Sequence, residues 1–156
     1  MSTRRMVGAL LTSMAVGAAA VGCDSGTAAT PTPAGPTNVA VTLQEWAVVP
    51  DKTSVASGDV TFVVTNSGPN DEHEFVIVRT DLDAGALPTD ATGKADESGG
   101  EIEEIGEVED IEVGDTGELK VNLAPGSYVL LCNIYSADEN EAHYALGMRI
   151  NFDVEG

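Results

Sequence analysis

Short alternating runs of apolar and polar residues fill the chain from Asn38 onward. Val39, Val41 and Leu43 alternate with small or polar neighbours, and Trp46 follows. Val60, Phe62 and Val64 alternate with Thr61, Val63 and Thr65, and Leu119, Val121 and Leu123 alternate with Glu118, Lys120 and Asn122. Ile150, Phe152 and Val154 close the chain in the same manner. A period of two is that of a strand with one face in a core. Two runs differ. Phe75–Val78 and Tyr128–Leu131 are continuously apolar, as in strands covered on both faces. Turn signals separate the runs at Ser57-Gly58-Asp59, at Asn66-Ser67-Gly68-Pro69-Asn70 and at Ala124-Pro125-Gly126. The pattern predicts an all-β sandwich of about seven to eight strands. Tyr128 shares a strand face with Cys132, and a hydrogen bond from it across a corner of the sandwich is expected. Trp46 is expected in the core.

Residues 81–117 break the pattern. They hold many acids and glycines and few large apolar side chains. Leu82–Gly100 reads as a long acidic excursion, and Glu101–Val113 as partly extended. The spacing of Ile102, Ile105, Val108, Ile111 and Val113 separates neither helix from strand.

The N-terminal segment has a different character. A short basic stretch, with Arg4 and Arg5, precedes the apolar run Met6–Val21. That run is too short for a spanning helix, which needs about 20 apolar residues, and it fits an export signal over residues 1–22. Ala20-Val21-Gly22-Cys23 resembles a bacterial lipobox, which implies lipidation of Cys23 and an extracytoplasmic protein held to the cell membrane. Residues 23–37 are small, polar and proline-containing, as in a flexible tether. A folded domain is expected over 38–156. The whole chain carries a formal net charge of −19, and cleavage before Cys23 removes two arginines and no acid. Such a surface excludes nucleic acid as a partner.

The candidate chemistry emerges by counting. The chain has two histidines, His73 and His143, two cysteines and four methionines. Three of the methionines precede residue 22, leaving Met148. If Cys23 carries lipid, Cys132 is a lone thiol in an oxidising compartment. A bridge between Cys23 and Cys132 is the alternative. His73 stands where a polar turn enters an apolar strand, Cys132 ends another strand, and His143 and Met148 lie before the last one. Two imidazoles, a thiolate and a weak thioether suit one copper ion in both oxidation states.

In this order these residues resemble the cupredoxins, the plastocyanin and azurin family. The resemblance runs from about Asn38 to the end. It rests on Gly58-Asp59-Val60-Thr61-Phe62, Asn66-Ser67-Gly68 and His73-Glu74-Phe75, and then on Leu123-Ala124-Pro125-Gly126-Ser127-Tyr128, Leu131-Cys132-Asn133-Ile134, His143-Tyr144 and Gly147-Met148. It implies a Greek-key β-sandwich, one copper held by His73, Cys132, His143 and Met148, and a monomeric one-electron carrier rather than an enzyme. Two departures stand out. Ten residues separate Cys132 from His143, where the family commonly has only a few. Glu74 occupies a position where the family often has an asparagine that steadies the ligand loop.

Other readings remain open from the residues alone. They are a copper storage or delivery protein, a metal-free interaction module, and an enzyme with Cys132 as nucleophile and His143 as base. The last conflicts with the acids at Asp138, Glu139 and Glu141, since a reactive thiolate needs cationic surroundings. The acidic excursion, including Asp96, Glu97, Glu101, Glu103, Glu104, Glu107, Glu109 and Asp110, suits electrostatic docking of a basic redox partner.

Overall fold

The computed structural model describes residues 35–156. The export signal, Cys23 and most of the expected tether lie outside them. Two sheets face each other. One has the order β2-β1-β4-β7, from Ala47–Pro50 (β2), Thr37–Gln44 (β1), Gly58–Asn66 (β4) and Thr116–Leu123 (β7). The other has the order β3-β11-β8-β5-β6, from Ser54–Ala56 (β3), Arg149–Glu155 (β11), Gly126–Leu131 (β8), His73–Arg79 (β5) and Glu103–Ile111 (β6). This is the expected all-β sandwich. It has more strands than the pattern predicts because β2 and β3 span only four and three residues, too few to show a period.

The core between the sheets is built from the inward members of the alternating runs. Phe62 lies 5.4 Å from Phe75 and 5.6 Å from Phe152, centroid to centroid. Val39, Val41, Leu43, Val64, Ile77 and Leu130 surround this trio. Cys132 and Met148 belong to the same buried cluster.

The continuous runs have a second explanation on the other side of their sheet. Phe75 and Ile77 face the inner core, while Val76 and Val78 face outward. Val129 and Leu131 face outward beside them. The excursion folds over these four, bringing Ala84, Leu87, Ala95 and Ile102 down as a small second core with Tyr144. The Tyr144 hydroxyl donates to the Ala84 carbonyl at 2.7 Å and accepts from the Leu87 N–H at 3.2 Å. Burying each large apolar side chain stabilises by about 1.5–3 kcal/mol, whereas exposed charge pairs are worth about 1 kcal/mol or less. Apolar contact therefore decides where this acidic segment sits.

Side-chain hydrogen bonds fix two corners of the sandwich. At the first, the Asn66 side chain donates to the Asp71 and Ile111 carbonyls at 2.8 Å each and accepts from the Gly68 N–H at 2.8 Å. Gly68 has φ +63°, a left-handed conformation that favours glycine, and a Cβ there would press on the Val113 side chain at 2.8 Å. This turn delivers His73 to the start of β5. At the opposite corner the Tyr128 hydroxyl donates to the Ala124 carbonyl at 2.8 Å, the hydrogen bond expected from its place in the sequence.

Candidate metal centre

His73, Cys132 and His143 come from three separate elements. His73 opens β5, and Cys132 immediately follows β8. His143 begins a single helical turn, His143–Leu146 (α1), just before β11. The ten residues after Cys132 are not an open loop. They fold back as a small hairpin of Tyr135–Ser136 (β9) and Glu141–Ala142 (β10). The His143 N–H then donates to the Ile134 carbonyl at 2.9 Å. The extra length is taken up within the hairpin, and His143 returns to the side of Cys132 across its base.

The result is a tight buried cluster. His73 Nδ1 lies 3.2 Å from His143 Nδ1, and Cys132 Sγ lies 3.3 Å from His143 Nδ1 and 3.8 Å from His73 Nδ1. The three donor atoms lie within 4.8 Å of one another. Planar three-fold coordination, with bonds of about 2.0 Å to nitrogen and 2.3 Å to thiolate, needs donors roughly 3.5–3.7 Å apart. The spacing therefore fits a single metal ion with little rearrangement. Met148 is fully buried and belongs with Cys132 to the core between the sheets. Its backbone is tied to two of the three, accepting from the Cys132 N–H at 3.0 Å and donating to the His143 carbonyl at 3.1 Å.

Around these residues the support is specific. Glu74, the departure from the family pattern, reaches across with its carboxylate and accepts the Asn133 N–H at 2.9 Å. Its own N–H points to Cys132 Sγ at 3.4 Å. It thus clamps the histidine segment to the cysteine segment, the task expected of an asparagine. The Asn133 side chain continues outward, accepting from the Ala95 N–H at 2.7 Å and donating to the Ala95 carbonyl and to Glu97. The excursion is thereby stapled to the residue next to Cys132. Trp46 is only half-buried, and its ring meets the edge of the His143 ring at 5.1 Å. It is a wall of the site more than a core residue. Sequence reasoning also missed Glu45, whose Oε1 accepts the N–H groups of Asn70 and Asp71 at 2.9 and 2.8 Å. Its partners lie too far along the chain for spacing to reveal them.

Burial dominates the electrostatics. It pushes the Cys132 thiol up to about 12, against the pull of the Ile134 and Glu74 N–H groups. A thiol held protonated is the opposite of what a catalytic nucleophile needs. A bound cation would reverse this by taking the thiolate directly. Burial first, and then the neighbouring His143, lower His73 to about 4, with Glu45 opposing. His143 is also lowered, again first by burial. Both imidazoles are therefore neutral donors at pH 7.

Because His73 titrates lower in the folded chain than its ordinary 6.5, the unfolded chain binds more protons between those values. Its contribution is intact above pH 6.5 and is lost as the pH falls toward 4. The full shift corresponds to about 3 kcal/mol. Burial raises Glu72, Glu74 and Glu107, which act in the opposite sense, so a variant comparison is needed. With metal removed, wild type should lose urea stability relative to His73→Leu as pH drops from 7 to 4.5. Parallel stability curves would show that His73 is not held neutral by the fold.

No protein-family model matches the sequence, and no match was found among curated proteins. Solved structures do match. Dithionite-reduced auracyanin from the photosynthetic bacterium Roseiflexus castenholzii is 25% identical, with a TM-score of 0.56 over 78% of this chain and 100% of that one. Auracyanin B is 19% identical, with a TM-score of 0.53 over 80% and 94% of the two chains. Reduced rusticyanin is 17% identical, with a TM-score of 0.52 over 78% and 81%. The two-sheet sandwich and these neighbours show that the chain has the fold of the blue-copper cupredoxins, and within it the structure brings the donors of His73, Cys132 and His143 together.

Proposed function

We propose that this protein binds one copper ion through His73 Nδ1, Cys132 Sγ and His143 Nδ1, with Met148 as a weak fourth ligand, and carries single electrons. The observation that carries the reading is the buried cluster of two imidazole nitrogens and one sulfur within 4.8 Å. Bound copper supplies a one-electron couple that no side chain here provides. The protein's residues do the rest. Cys132 gives up its proton on loading and contributes the thiolate. The two neutral imidazoles complete the donor set without needing to lose a proton. Glu74 and the β9–β10 hairpin hold all three against displacement, so an electron can enter and leave with little rearrangement. Phe62, Phe75 and Phe152 keep the inner side dry. His143 lines a shallow depression with Asp71, Glu72, Ile134, Ser136 and Glu139, which makes it the donor closest to a partner. The auracyanin and rusticyanin neighbours, both solved in reduced form, support a redox role.

Two finer proposals concern where and with whom the protein works. Lipid on Cys23 would hold the domain at the outer face of a membrane, and no helix among the described residues is long and apolar enough to cross one. Intact-mass analysis of the mature protein should show a diacylglycerol adduct that Cys23→Ser removes; an unmodified Cys23 in wild type would end the proposal. The acids around His143 and on the excursion favour a basic redox partner. Its electron-transfer rate should fall as salt shortens the Debye length toward about 8 Å. A flat or rising salt dependence would leave the acid as a solvated surface only.

The copper assignment has a direct optical test. Cu(II) added to the purified domain should give an intense visible band from the thiolate bond, at one copper per chain. Cys132→Ser should abolish the band. Met148→Leu should keep it while raising the reduction potential, because an apolar neighbour donates less to the oxidised state. Tight Cu(I) binding with no coloured Cu(II) form would instead indicate storage or delivery, and no copper uptake would indicate a metal-free module.

A further inference from the structure

Two buried side-chain polar atoms among the described residues have no hydrogen-bond partner: Glu45 Oε2 and His73 Nε2. They are complementary. A carboxylate oxygen can only accept, and the ring nitrogen carries the hydrogen when Nδ1 is turned to a metal. The other Glu45 oxygen is fixed by the N–H groups of Asn70 and Asp71, on the turn that leads directly into His73. That bond pins the carboxylate on the His73 side of the site. The next residue, Trp46, lies against the other imidazole, that of His143. The Glu45-Trp46 pair thus addresses both histidines from one short segment, Glu45 by charge and Trp46 by packing.

We infer that Glu45 is a positioning residue for the metal centre: its Oε2, which makes no hydrogen bond in this structure, turns to receive the His73 Nε2–H in solution and holds that ring with Nδ1 toward the donors of Cys132 and His143. The inference rests on the copper reading above for its redox consequence, though not for the hydrogen bond itself. A ligating histidine whose second nitrogen donates to a carboxylate has its tautomer fixed and its donor strength raised. The negative charge also favours the more positive, oxidised state of the centre and so lowers the potential. Glutamate is required for both effects. Glutamine keeps one oxygen for the Asn70–Asp71 turn but presents an NH2 group to His73, which cannot accept.

The test compares wild type with Glu45→Gln and Glu45→Ala in two arms. The first is nitrogen-edited NMR of metal-stripped protein. Wild type should show a His73 Nε2–H protected from solvent exchange, and Glu45→Gln should lose that protection while keeping near wild-type thermal stability. The second arm is voltammetry after loading with Cu(II) sulfate. Glu45→Gln should keep the visible band and show a raised potential. Glu45→Ala should raise it as well and also lose thermal stability, since the turn loses its acceptor. An unprotected Nε2–H in wild type, or the same protection and potential in Glu45→Gln, would overturn the inference. If wild type fails to form the coloured site, the copper reading falls, and the NMR arm still decides the hydrogen bond.

Discussion

Three donor atoms that would each prefer water are held dry within 4.8 Å of one another, and most of the structure answers to that constraint. Burying an unpaired polar group costs on the order of 1–3 kcal/mol, so a cluster of two imidazoles and a thiol persists only where the surroundings are over-determined. The surroundings here are over-determined. The Asn66 side chain closes the turn before His73 with three hydrogen bonds. Glu45 holds the same turn from the other side. Glu74 ties the His73 strand to the Cys132 strand, and the His143 N–H closes the hairpin base on Ile134. None of these contacts is a metal bond. The fold builds the site with ordinary hydrogen bonds, and a cation is then chosen by the donors it finds.

This arrangement connects the acidic excursion to the centre. The segment at first looks peripheral, because it is polar and lies outside the two-sheet core. Its apolar members nevertheless seal the outer face of the strands that carry Cys132 and His73. Asn133 then links Ala95 and Glu97 to the residue beside the thiol. The same segment thus presents acid to solvent and supports the centre from behind.

Much of the site was legible from residue types alone. His73, Cys132, His143 and Met148 stood out because an acidic β-protein with so few soft donors has little else to bind a transition metal. The double burial of Phe75–Val78 and Tyr128–Leu131 was legible because a strand that meets water on one face would alternate. Their outer cover was not, since Ala84, Leu87, Ala95 and Ile102 are sparse and follow no period. The β9–β10 hairpin was hidden because its strands are two residues each and rest on turn geometry. Glu45 and Glu74 were hidden for another reason. Each looks like one more surface acid until its partners, distant in sequence, are brought beside it.

The chain's own packing sets the donor geometry in advance, so changing the metal's charge should move nothing. Crystal structures of the copper-loaded protein in its oxidised and reduced states test it most directly. Both should hold one copper on His73 Nδ1, Cys132 Sγ and His143 Nδ1, with the 132–143 segment and the excursion superposing. A copper that is absent, or a His143 ring that leaves the donor set in either state, would contradict it.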